Sequence, residues 1–270
     1  MKDVRISDVA GGYWDSTLED PTCAIACRLW RIFCDSLHER LIKDWVGEKH
    51  FGTALKTDLF DEAMGKGLID TLAGISDKVC GIDIAGDIVH RAQAKNPTLE
   101  ASTGDVRQLD FPDATFDFVF SDSTLDHFAT VAEIRQSLRE LARVLAPGGL
   151  LLITLDNPTN PVVALRNKLP QAPLGALGLI PYFMGRTLSM GHLQRELGAA
   201  GFAIHAHKHI LHVPRVVALH LCRVLDSREA FSRAALRGML AFEAAANLPT
   251  AHLTGHFSAL LARKESLPNP

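Results

Sequence analysis

Residues 104–121 read GDVRQLDFPDATFDFVFS. A turn-rich loop delivers the chain into a short, strongly apolar strand over Phe116–Ser121. The segment before it, GIDIAGDIVHRA at 81–92, closes a buried strand (Val79–Ile84) and opens a helix (Gly86–Ala94), with a further strand over Leu99–Thr103. The segment after it, ELARVLAPGGLLLITLD at 140–156, ends a helix over Val131–Leu145, breaks at Pro147-Gly148-Gly149 and enters a buried strand over Leu150–Leu155. Apolar strands alternating with helices imply an α/β fold with a doubly wound, mostly parallel sheet.

Working outward, Thr53–Leu59 reads as the first strand and Gly67–Ile75 as a helix. Residues 20–47 read as an amphipathic helix with Asp20 as N-cap and Pro21 at its first position. Leu29, Ile32, Phe33, Leu37, Leu41, Ile42 and Trp45 recur at helical spacing. This helix packs ahead of the core or forms one wall or lid of a pocket. Beyond 156 the spacing predicts a Pro- and Gly-rich insertion at 157–186, a helix over Thr187–Ala200, a strand over Phe202–Ile210, a mostly helical stretch over 214–248 and a last strand over Gly255–Arg263. The expected sheet has seven strands. The domains are an N-terminal helical lid (1–50), an α/β domain (51–264) with cap insertions at 157–186 and 213–250, and a short tail (265–270).

Composition narrows the function. The chain has 270 residues, 28 basic and 31 acidic side chains and a net charge of −3. No basic face of the kind nucleic acid requires is evident. No run of apolar residues is long enough to span a bilayer and no secretory leader precedes the first helix, so the cytoplasm is the expected compartment. Five cysteines without a CxxC pair argue against a disulfide framework. Cys23, Cys27, Cys34 and His38 share one helix face, but fifteen residues of helix span roughly 22 Å. Four ligands cannot converge on one ion over that length, and no metal is expected. The patterns of a P-loop, a dinucleotide GxGxxG, an HExxH site and a GxSxG elbow are all missing.

Taken together, the segments Gly81–Ala92, Gly104–Ser121 and Arg143–Asp156 resemble the class I (Rossmann-like) S-adenosylmethionine-dependent methyltransferases, especially the group acting on small molecules and quinones. The resemblance covers roughly residues 50–157. Ligands in such sheets bind outside the carboxyl ends of the strands. By position, Asp83, followed by Ile84, would hold the cofactor's ribose hydroxyls. Asp105 and the Val106 backbone would hold adenine, and Ser121 and Asp122 would lie beside the methionine part. One stretch departs from the family. Where an acidic residue and a glycine-rich turn are expected, the chain reads TDLFDEAMGKG (57–67). Asp58 stands for the acid, but Phe60, Glu62 and Met64 replace the glycines, and Glu62 is the candidate contact for the cofactor's ammonium group. That departure leaves open a second class of protein, a relative of this fold that binds a ligand or partner without catalysis.

Transfer of a methyl group to a hydroxyl is helped by a general base. SDSTLDHF (121–128) follows the fourth strand, making His127 the first candidate base, with Asp126 or Asp122 in support. Asn157, Tyr182 and His209 are candidate acceptor contacts, and Tyr13 and Trp14 candidate cover for the cofactor. The apolar insertions predict a lipophilic or aromatic small-molecule acceptor, with O-methylation favoured, or else a homodimer contact. A transient touch on a membrane surface is compatible with them; stable insertion is not expected.

Overall fold

The computed structural model describes residues 12–15, 27–170, 184–226 and 229–265. Its seven strands are β1 (Phe51–Lys56), β2 (Ser76–Asp83), β3 (Leu99–Thr103), β4 (Phe116–Asp122), β5 (Leu145–Asp156), β6 (Phe202–Ile210) and β7 (Phe257–Lys264). They form one sheet in the order β3-β2-β1-β4-β5-β7-β6, parallel from β3 to β5, with β7 antiparallel to both neighbours. This is the doubly wound sheet expected from the sequence.

Period-2 alternation decides which helices cover each face. Ala54, Phe118, Phe120, Leu150 and Leu152 meet Leu41, Ile42 and Val46 of helix α1 (Arg28–Val46), along with residues of the short α2 (Phe60–Met64) and α3 (Ile69–Ala73) and of α4 (Gly86–Lys95). Leu55, Val119, Leu151 and Ile153 face the other way. They pack on Ile134, Leu138 and Leu141 of α5 (Val131–Val144) and, beyond the short α6 (Pro161–Lys168), on Leu193 and Leu197 of α7 (Met190–Ala199). A third cluster joins Leu29, Trp30 and Phe33 of α1 to Ala218 and Cys222 of α8 (Arg215–Leu225) and Met239 of α9 (Glu229–Ala241). A 3-10 turn at Phe242–Asn247 and α10 (Ala251–Thr254) lead back into β7.

The departures from expectation are local. Asp20 and Pro21, the predicted helix start, lie outside the described residues. β1 ends at Lys56, not Leu59, because the Asp58 carboxylate accepts the Phe60 N–H at 3.0 Å and turns the chain into α2. Pro147-Gly148-Gly149 does not break the chain. β5 runs through it, pairing Leu145 with Phe116 and then Leu150 with Phe118, so the glycines form an irregularity inside the strand. A Cβ on Gly149 would stand 3.1 Å from the Asp117 carbonyl oxygen and 2.9 Å from that of Ala146, which leaves only glycine there. α5 starts on a reciprocal cap in which the Thr130 hydroxyl accepts the Glu133 N–H and Glu133 accepts the Thr130 N–H.

Gly81, in the middle of β2, is set by packing. A Cβ there would lie 2.7 Å from the Leu59 side chain, which is fully buried at the base of the 57–67 turn. Gly81→Ala is therefore expected to lower stability by about 1–3 kcal/mol. Leu59→Ala in the same chain should restore part of that loss, read by urea unfolding; additive losses in the double variant would contradict the contact.

Candidate active site

The carboxyl ends of β1, β2 and β4 open into a cavity of about 520 Å³. Its floor includes Thr57, Asp58 and Asp61 after β1, Asp83 and Ile84 after β2, Gly104–Arg107 after β3 and Asp122–Thr124 after β4. Helix α1 supplies Trp30, Arg31, Cys34 and His38 to the wall. Trp14, Phe128, Arg215 and Phe257 complete it.

The glycine-poor turn is built around a buried ion pair. Lys56 and Glu62 are fully enclosed, with Nζ 2.9 Å from Oε2, and Nζ also donates to the Asp58 carbonyl oxygen. The other Glu62 oxygen accepts the Leu68 N–H at 2.9 Å. Burial alone would lower the Lys56 amine, but Glu62, then Asp58 and Asp61, lift it above the usual lysine value. Glu62 thus has both oxygens taken and does not line the cavity. The expectation that it meets the cofactor's ammonium group gives way to a role in shaping the turn. Gly67 allows this: its φ is +59°, and a Cβ there would stand 2.5 Å from the Glu62 Oε1.

Asp83 is 6% exposed and lines the cavity, its oxygens accepting the Leu59 and Ala85 N–H groups at 3.0 Å each. Burial outweighs those two donors and raises its carboxyl to about 6. Burial, then the neighbouring Asp83 charge, pushes Asp58 well above the usual carboxylate range. Asp105 lines the cavity too, but Arg107 holds both its oxygens, at 3.1 and 3.0 Å from Nε and 2.7 Å from Nη2, while also reaching Glu133 at 2.7 Å. Val106 lines the same end.

The base candidates separate. His127 lines the cavity with its ring edge-on to Trp14, centroids 4.6 Å apart. Asp126 does not line it. Its Oδ2 accepts the Asp156 N–H at 2.8 Å and the Ser123 hydroxyl at 2.9 Å, and burial, then the Asp156 charge, raises it well above the usual range. It ties the turn after β4 to β5. Ser123, between them, sits at φ +49°, a strained conformation for serine that the Thr154 carbonyl and hydroxyl hold by accepting its N–H at 3.1 Å.

A second pair was not anticipated. The His38 Nδ1 lies 3.3 Å from the Asp122 Oδ2, and the Asp122 Oδ1 accepts the Thr154 hydroxyl at 2.5 Å. His38 is 5% exposed, and both residues line the cavity. Asp122 shares its strand face with Phe118 and Phe120, the face that α1 covers, which is why a histidine of α1 meets it.

Other expected residues stand elsewhere. Ser121 is buried beneath the floor, its hydroxyl oxygen accepting from Thr57 at 2.9 Å. Asn157 is fully buried, and its amide donates to the His252 and Gly255 carbonyls at 2.8 and 2.9 Å, locking two loops together. His209 is held near neutral charge, its ring lowered to about 4 by burial and by His212 and His252, and does not line the cavity. Tyr182 lies outside the described residues. Trp14 lines the cavity, while Tyr13 packs edge-on against it. The neighbouring Asp15 accepts the Asp87 N–H in the first turn of α4.

Comparison with known proteins finds relatives for the middle of the chain. Residues 61–153 match the family model described as a methyltransferase domain. A probable S-adenosylmethionine-dependent methyltransferase from Mycolicibacterium smegmatis is 28% identical over 148 residues, 54% of this chain and 52% of that protein. The ubiquinone/menaquinone biosynthesis C-methyltransferase UbiE of Hahella chejuensis is 36% identical over 102 residues, 34% of this chain and 39% of that protein. The N-methyltransferase NodS from Bradyrhizobium japonicum, solved with S-adenosylhomocysteine, superposes with a TM-score of 0.54 at 12% identity, covering 92% of this chain and 100% of that one. Residues 61–153 thus match a methyltransferase domain family, and the sheet has the fold of the solved S-adenosylmethionine-dependent methyltransferases. The chain spans about half the length, or less, of the curated relatives quoted.

The donor set fits that family's cofactor. Asp58, Asp61, Asp83 and Asp122 offer carboxylates to hydroxyl and ammonium hydrogens and to a sulfonium charge, and Ile84, Ile88, Val106 and Phe128 offer an apolar slot. The turn that replaces the glycines depends on Lys56. Lys56→Met, which leaves Glu62 buried and unpaired, should cost about 3–5 kcal/mol of stability. The double variant Lys56→Met, Glu62→Leu should regain much of it in chemical denaturation; equal loss in both chains would contradict the pairing.

Proposed function

We propose that this protein transfers a methyl group from S-adenosylmethionine to a hydroxyl oxygen of a small lipophilic or aromatic acceptor. The observation that supports this reading most is the His38–Asp122 pair lining the same cavity as Asp83. Asp83 would accept the ribose hydroxyls. Ile84, Ile88 and Val106 would enclose the base, with the Asp105 carboxylate shared between Arg107 and the adenine amino group. Asp58 and Asp61 would face the amino-acid end.

When bound, the cofactor supplies an electrophilic methyl group on a positively charged sulfur. The chain's own residues do the remaining work. Trp30, Phe60 and Phe257 give the acceptor an apolar seat. The Asp122 carboxylate, 3.3 Å from the His38 Nδ1, would favour the tautomer with its proton on Nδ1 and leave Nε2 to take the acceptor's hydroxyl proton. Thr154 holds Asp122 in turn and keeps the carboxylate from rotating. His127, packed on Trp14, would line the seat of the transferred group. Trp14 and α1 line the cavity and would limit the access of water to the reacting groups.

The test is a screen with radiolabelled S-adenosylmethionine over phenolic and lipophilic alcohol acceptors. With the best acceptor, His38→Gln and Asp122→Asn should each lower kcat by about 10²–10⁴, His38→Gln with little change in KM for the cofactor. Full turnover in His38→Gln would overturn the assigned base. Methylation confined to amines or carbon acids would overturn the acceptor class.

A further inference from the structure

The start of α1 and the body of α8 meet at two cysteines that stand outside the cavity lining. Cys27 is the residue on which α1 begins and is partly exposed. Cys222 is fully buried in the cluster that packs Leu29, Trp30 and Phe33 against α8, and Cys27 packs on that cluster. A backbone contact fixes the meeting. The Leu29 N–H, two residues after Cys27, donates to the Asp226 carboxylate at 2.8 Å, and Asp226 ends α8 one helical turn after Cys222. The two thiols hydrogen-bond to one another. The Met239 sulfur lies 3.8 Å from that of Cys222 on α9, so the pair is backed by a soft apolar atom.

The two thiols differ in character. The hydrogen bond from Cys222, with the N–H groups of Trp30 and Leu29 in the first turn of α1, lowers Cys27 to about 7 against its partial burial and the Asp226 charge. The same hydrogen bond, then burial, pushes the Cys222 thiol far up. An accessible thiolate is a nucleophile, and a protonated thiol beside it can give its proton to a leaving group. Cys34 and Cys80 lack this arrangement, since burial raises both. Cys23 lies outside the described residues.

We propose that Cys27 and Cys222 form a reversible, peroxide-driven disulfide that fastens α1 to α8. The Cys27 thiolate attacks one oxygen of the peroxide. The O–O bond breaks, the departing hydroxide is protonated to water, and the Cys27 sulfur becomes a sulfenic acid. The Cys222 sulfur then attacks the Cys27 sulfur, the S–O bond breaks, and the Cys222 proton leaves with the hydroxyl as a second water. Both thiols are oxidised, by one electron each, and the peroxide is reduced to water. The bridge joins the start of the helix that carries His38 to the helix whose first residue, Arg215, lines the same cavity, so it pins the two parts of the far wall together. A single switchable pair of this kind suits a chain without a disulfide framework. The inference stands apart from the methyltransferase reading.

The experiment treats reduced wild type, Cys27→Ser and Cys222→Ala with hydrogen peroxide at pH 7. Each chain is then alkylated and digested without reductant, and its peptides are sequenced by mass spectrometry. In wild type, Cys27 and Cys222 vanish as free thiols together and return as one linked peptide that dithiothreitol separates. Cys222→Ala stops at a Cys27 sulfenic acid that dimedone captures. Cys27→Ser loses its Cys222 thiol about tenfold more slowly or not at all. The rate of thiol loss in wild type rises with pH through about 7, as the thiolate forms. Circular dichroism reports whether each variant is folded, and the wild-type peptides judge the pairing without any variant. The proposal is overturned if oxidised, folded wild type never links Cys27 to Cys222, if a bridge to Cys222 survives Cys27→Ser, or if Cys27 reacts no faster than Cys34 and Cys80.

Discussion

An ammonium group sealed from water must be given oxygens by the chain that seals it. Lys56 is sealed at the end of β1, at the centre of the sheet, and the turn that follows is arranged to supply it: the Asp58 carbonyl, then a Glu62 carboxylate. Everything at the ligand edge is positioned from there. Glu62 fixes Leu68 and demands Gly67, and Asp58 starts α2. Leu59 donates to Asp83 and presses against Gly81. Glycine-rich turns reach the same place by having no side chains in the way. This chain reaches it by charge pairing, so its cradle is a set of side chains that hold one another.

The second strand face then brings the chemistry to that cradle. Lys56 and Asp122 both lie on the side that α1 covers, and α1 sends Arg31, Cys34 and His38 toward them from one helical stripe. The cavity is therefore assembled from two parts of different character. One end is built by residues between 57 and 107, among them Asp83 and Asp105. Its far wall is built by α1, Arg215 and Phe257, outside the matched stretch of 61–153.

That division explains what could be read from the sequence. The strands over 79–84, 99–103 and 116–121 were legible because buried parallel strands are apolar runs bounded by turns. Asp83 and Asp105 were legible because the topology puts any residue at a strand's carboxyl end near the ligand edge. His38 was not, since its meeting with Asp122 depends on where α1 lies across the sheet. Its one signal was position: His38 shares a face with Cys34 on a helix already suspected of walling a pocket. Glu62, Asp126 and Asn157 misled for a common reason. A polar side chain near the ligand edge is as useful for holding a loop as for touching a ligand, and only the partners at 2.8–2.9 Å show which.

The account stands on the claim that the charge-paired turn and Asp83 make a working cofactor site. S-adenosylhomocysteine titrated into wild type at pH 8 tests this most directly, with Asp83→Ala alongside and the wild type repeated at pH 5. With the Asp83 carboxyl at about 6, only its ionised form can accept both ribose hydroxyls, so affinity is full at pH 8 and falls as the pH drops through that value. The account predicts micromolar binding at pH 8, about tenfold weaker binding at pH 5 from the fraction ionised, and loss of both the affinity and its pH dependence in Asp83→Ala. A folded wild type that does not bind at pH 8, or an Asp83→Ala chain that binds as well as wild type, would contradict it.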